Sequence, residues 1–92
     1  MQIRGTVHNG IANGFFWFNR AGDWNNAKPW DSSHVMSLPD YLKTNGIDLN
    51  FSTSITGVLV QFINHEVNIR PTVNRNFSKG EWVAGNFSFQ LA

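Results

Sequence analysis

Hydrophobic and polar positions alternate with a period of two at both ends of the chain, the pattern of a strand with one covered face. In residues 2–8, Ile3, Gly5 and Val7 fall on one side and Arg4, Thr6 and His8 on the other. From Glu81 to Leu91, Val83, Gly85, Phe87, Phe89 and Leu91 share a face, opposite Trp82, Ala84, Asn86, Ser88 and Gln90. Residues 47–52 repeat the pattern with Ile47, Leu49 and Phe51. Two further stretches are apolar without alternation. Phe15-Phe16-Trp17-Phe18 is expected as a strand buried on both faces, and residues 55–63 (ITGVLVQFI) as a central strand.

Turn signals separate these runs. Asn9-Gly10 and Asn13-Gly14 both read as hairpin turns, because Asn and Gly tolerate the positive φ that tight β-turns require. Asn64-His65 predicts a two-residue turn into a strand over 66–70, with Pro71 marking an edge or a bulge. Ser37-Leu38-Pro39-Asp40 has the cap, proline and acid of a helix start; Tyr41, Leu42 and Lys43 would continue it and Asn45-Gly46 would end it. One or two helical turns are expected there. Residues 74–80 read as a loop. Residues 19–34 show no period at all and form the longest irregular segment, of the kind usually kept for function. The prediction is an all-β, small single-domain β-sandwich or short barrel with at most one short helix.

Composition supports that picture and narrows the partners. Ninety-two residues suit one domain, and a chain this short hides only roughly 60–65% of its unfolded surface. Eight Phe, four Trp and one Tyr compensate, since each large ring buries roughly 150–250 Å². The net charge is +1 and only 14% of residues are charged. Arg4, Arg20, Lys28, Lys43, Arg70, Arg75 and Lys79 are scattered, so no basic stripe marks nucleic-acid binding. No stretch approaches the ~18 apolar residues of a membrane span, and the first residues carry no leader-like apolar core. Cysteine is absent, which removes disulfides, thiolate metal sites and cysteine nucleophiles.

Catalytic and metal signatures are weak throughout. His8, His34 and His65 lie far apart, without ligand spacing, and a zinc site with Asp23 or Asp31 would have to assemble in space. Asp31-Ser32-Ser33-His34 holds acid, hydroxyl and imidazole, yet neighbours in sequence do not face one another as a catalytic triad must. Asn50, Asn76 and Asn86 open Asn-x-Ser sequons that read as chance in an Asn-rich chain. No enzyme activity, metal or cofactor is expected. The informative chemistry lies in Trp24-Asn25-Asn26-Ala27-Lys28-Pro29-Trp30-Asp31. Two indoles beside amide and carboxylate groups suit a ligand wall or a protein hot spot, so Trp24, Asn25, Asn26, Trp30 and Asp31 are the candidate binding residues.

The closing run Gly80-Glu81-Trp82-Val83-Ala84-Gly85-Asn86-Phe87-Ser88-Phe89-Gln90-Leu91 resembles the last strand of bacterial fimbrial subunits, which are immunoglobulin-like β-sandwiches. The opening Ile3-Gly5-Val7 alternation is similar to the strand such subunits lend to a neighbour. The resemblance covers about a fifth of the chain and implies a surface or assembly protein, with no binding residues carried over. The functional expectation is a structural or interaction module of an extracellular or virion assembly, with a protein partner or self-association. A lectin-like module using exposed tryptophans is the alternative. A small intracellular inhibitor is the third reading, so a cytoplasmic site stays open beside the cell or virion surface.

Overall fold

The computed structural model describes residues 2–42, 44 and 46–91. Among the described residues nine strands follow one another: β1 (Gln2–His8), β2 (Ile11–Asn19), β3 (Trp24–Ala27), β4 (Ser33–Ser37), β5 (Leu49–Ser52), β6 (Val58–Ile63), β7 (Glu66–Pro71), β8 (Arg75–Phe77) and β9 (Trp82–Gln90). The fold is all-β. A single 3₁₀ turn, Asp40–Leu42, stands where the helix was expected; Lys43 and Asn45 of that expected segment lie outside the described residues.

All pairing is antiparallel. One sheet runs β1-β2-β9, a second runs β4-β7-β6-β5, and β3 with β8 makes a small third. The two larger sheets face each other across an aromatic core. Phe62 of β6 meets Phe16 of β2 at 6.2 Å and Phe87 of β9 at 5.2 Å, with Phe51 of β5 5.0 Å from Phe62. Edge and tilted arrangements of this kind add to the stabilisation that area burial alone supplies. Phe87 and Phe89 are buried, as the alternation of the last strand implies. Along one side the sheets are pinned together: Ser54 donates its N–H to the Ala84 carbonyl and its hydroxyl oxygen accepts the Ala84 N–H.

Three sequence expectations are corrected. Asn13-Gly14 is not a turn but lies inside β2, and only Asn9-Gly10, with φ of 52° and 76°, closes the β1–β2 hairpin. Gly5 and Gly14 sit opposite each other under the Phe87 ring, where a Cβ on Gly5 would come within 2.7 Å of Phe87 Cζ. Close approach, not turn geometry, explains both glycines. Second, the run 15–18 is not buried on both faces. Phe16 and Phe18 are in the core, while Phe15 is 43% exposed and Trp17 half-buried. Third, residues 19–34 are not one irregular loop: they contain β3 and the start of β4, and the expected loop 74–80 contains β8. Short strands of three to five residues leave too few positions for a period to emerge.

The tight turn also sets hydrogen-bond parity. In a two-residue hairpin the residues flanking the turn exchange both backbone bonds. His8, Thr6, Arg4 and Gln2 therefore direct their N–H and C=O groups to β2, and Ile3, Gly5 and Val7 direct theirs away from it.

Candidate functional site

The solvent side of the β1-β2-β9 sheet follows from its register. Gln2, Arg4, Thr6 and His8 lie opposite Trp17, Phe15, Asn13 and Ile11, which in turn lie opposite Ala84, Asn86, Ser88 and Gln90; Trp82 lies opposite Asn19. Among the described residues of these strands this face holds no Lys, Asp or Glu, and Arg4 is its one cationic side chain beside His8. It holds instead a row of apolar side chains. Phe15 and Trp17 stack at 5.3 Å with planes 9° apart, Ile11 stands 42% exposed, and Trp82 is 59% exposed. Aromatic enrichment with loss of Lys, Glu and Asp is the composition of a protein interface core.

An open groove of about 660 Å³ runs beside the stacked pair. Phe15, Trp17, Ala84 and Asn86 line it from this sheet, Ser52 from the end of β5 and Ser54 from the β5–β6 connection. Thr53, between them, is already engaged: its hydroxyl donates to the Val58 carbonyl and accepts the Ile55 N–H. The groove thus pairs aromatic walls with hydroxyl and amide groups, the usual division of labour in a binding cleft.

The residues singled out from sequence are dispersed. Trp24 is half-buried in β3, stacked on Phe77 at 5.2 Å with the Arg20 guanidinium 5.7 Å from its ring. Its ring is thus engaged within the fold while remaining partly exposed. Asn25 and Asn26 are exposed, and the Asn26 N–H donates to Asn76 Oδ1 at 2.7 Å, fixing the bulged pairing of β3 with β8. Asp31 is exposed, its N–H donating to the Lys28 carbonyl.

Trp30 is different. It is 57% exposed and has φ of 68°. It follows Pro29 in a turn closed by the Asp31-to-Lys28 bond, and a turn with proline second and positive φ third normally uses glycine third. A bulky residue there stores of order 1–3 kcal/mol of strain. Its N–H donates to the Pro71 carbonyl at 2.8 Å, and the Arg70 guanidinium lies 5.7 Å from the ring.

Arg70 belongs to a polar network on the solvent side of the β4-β7-β6-β5 sheet. Gln61 Nε2 donates to Asp48 Oδ1 at 2.9 Å, Asn68 Nδ2 donates to Gln61 Oε1 at 3.1 Å, and Asn50 Nδ2 donates to Asp48 Oδ1 at 3.1 Å. Arg70 Nη1 donates to Asn50 Oδ1 at 3.3 Å and lies 3.8 Å from Asp48 Oδ2. Gln61 and Asn68 are buried within it.

The residues weighed for catalysis are not assembled. Ser33 and His34 are successive on β4 and face opposite ways, Ser33 accepting from Arg20 Nη1 and His34 lying 4.0 Å from Glu66. His65 lies 3.7 Å from Asp40, and Asp23 accepts the Lys79 N–H. Among the described residues no three His, Asp or Glu side chains come together as metal ligands would. No described helix is long and apolar enough to cross a membrane.

Sequence reasoning missed the sheet face because Phe15–Phe18 is apolar on both sides. The usable signal was Gly14, which puts position 14 and hence 16 and 18 inward. Compared with family models, with curated proteins and with solved structures, the chain has no match.

Proposed function

We propose that this protein is a non-enzymatic interaction module that binds a protein partner through the solvent side of its β1-β2-β9 sheet. The observation that carries this reading is the row of exposed Ile11, Phe15 and Trp82 with half-buried Trp17, on a face without Lys, Asp or Glu among the described residues. Leaving such rings in water wastes apolar area worth roughly 25 cal/mol per Å², and a contiguous patch of this kind marks an interaction surface. Arg4, Asn13 and Asn86 supply the directional bonds around it. Such a module works as a building or decorating unit of an assembly, at a cell or virion surface.

A second reading, a glycan-binding module, is favoured by Trp30. Its ring is exposed and held in a strained turn beside Arg70. The experiment that separates the two is a screen of the folded protein against peptide and glycan arrays, repeated with Phe15→Ala, Trp82→Ala and Trp30→Ala. Protein recognition predicts peptide hits weakened at least ~30-fold by Phe15→Ala or Trp82→Ala. Glycan hits lost with Trp30→Ala would replace the first reading by the second.

A further inference from the structure

We infer that two copies of this chain join through their β1 strands, antiparallel and centred on Gly5, into one continuous sheet. This interface is the edge of the sheet and not its aromatic face, so it is independent of the function proposed above.

The argument begins with how each edge is treated. An unpaired strand edge is a template for another strand, and proteins guard such edges with bulges, short strands or covering groups. The β4 edge is interrupted by a register shift between His34 and Met36. The β5 strand is four residues long. The second edge of β9 is occupied at Ala84 by Ser54. In contrast, β1 is seven residues long, pairs with β2 in unbroken register, and contains neither proline nor lysine. Its outward N–H and C=O groups are those of Ile3, Gly5 and Val7, and among the described residues no strand pairs with them.

The side chains then choose a register. Facing residues must share a sheet side, so the two-fold axis passes through one residue of β1. An axis through Arg4 places the two Arg4 side chains opposite each other, which is unfavourable. An axis through Thr6 leaves Gln2 and Ile3 without strand partners. An axis through Gly5 pairs every residue of β1. Gln2 then faces His8 of the second copy, Ile3 faces Val7, and Arg4 faces Thr6. The facing pairs at positions 3, 5 and 7 each exchange two backbone bonds, about six in all. Val7 is 43% exposed although it lies on the core side, and this register covers it with Ile3 of the second copy. The axis is perpendicular to the sheet, so both aromatic faces end on the same side of a six-stranded surface. Two linked copies of one binding face would gain avidity without any new contact.

The test uses the full chain and its lack of cysteine. Arg4 and Thr6 are exposed on the solvent side of β1, so replacing them leaves the core intact. Sedimentation equilibrium should give a dimer for the wild type. Thr6→Arg, which sets like charges opposite Arg4 twice per dimer, should weaken it about tenfold, and Thr6→Glu should tighten it. Mixed Arg4→Cys and Thr6→Cys proteins should form a disulfide-linked heterodimer under mild oxidation, while each alone cross-links poorly. Circular dichroism confirms that each variant is folded. A wild type that stays monomeric at 100-micromolar concentration, on the order of cellular protein levels, would overturn the inference. So would equal cross-linking of Arg4→Cys alone, or a dimer indifferent to both charges at position 6.

Discussion

The solvent side of the β4-β7-β6-β5 sheet closes on itself, while that of the β1-β2-β9 sheet does not. On the first, Asp48, Asn50, Gln61, Asn68 and Arg70 bond to one another, with Gln61 and Asn68 buried and Arg70 Nε the one buried nitrogen of this group left without a partner. On the second, Phe15 stacks on half-buried Trp17 yet stays 43% exposed, and Trp82 is 59% exposed. A hydrogen-bond network has its partners already and loses stability if one is removed. An aromatic row has no such closure, and its remaining area is available to a partner. In the function proposed above, two faces of one small sandwich divide the work, one finishing the fold and the other presenting a surface.

Substitutions arranged by expected effect probe that division. The reference is the core shared by both sheets: Phe62→Ala should cost about 3–5 kcal/mol, because four other phenylalanine rings pack around Phe62. Thermal melting measures it, and a loss under 1 kcal/mol would mean the sheets are not held by this cluster. Next comes Gln61→Ala on the polar face. It strips Asn68 and Asp48 of a partner and should cost about 1–3 kcal/mol in denaturant unfolding. If Gln61→Ala is neutral, the network is decoration and the comparison fails.

Trp30→Gly should change stability by no more than about 1 kcal/mol, since relief of the positive φ offsets loss of the ring above Arg70. A loss beyond 2 kcal/mol would make Trp30 a structural residue. The smallest effect is expected for Trp82→Ala, within about 0.5 kcal/mol of wild type, as befits a side chain that packs little in the folded monomer. A large destabilisation there would show the aromatic face to be part of the fold and not a surface held ready.

Much of the fold was legible in the sequence, and the reasons are local. The bounds of β1 and β9 follow from alternation, because β9 buries one side and β1 half-covers Ile3 and Gly5 on one side only. The turns at Asn9-Gly10 and Asn64-His65 follow from residue chemistry, and both turns place an asparagine at positive φ. What escaped was long-range. Asn13-Gly14 has the chemistry of a turn, and only the Phe87 ring arriving from β9 makes Gly14 a strand residue. Trp24 looked like a loop anchor until Phe77, more than fifty residues away, covered it. The aromatic face was half legible: the alternation of the last strand put Trp82 outside, but nothing in Phe15–Phe18 says which two rings face the core.

The four tryptophans give the most direct test of the central claim, because Trp17 and Trp82 lie on the aromatic face while Trp24 and Trp30 lie elsewhere. Each contributes one indole N–H signal to a nitrogen–proton correlation spectrum. Titration with a peptide ligand from the array screen should shift the Trp17 and Trp82 signals and leave those of Trp24 and Trp30 in place. Shifts confined to Trp30, with Trp17 and Trp82 unmoved at saturation, would contradict the account and assign binding to the opposite sheet.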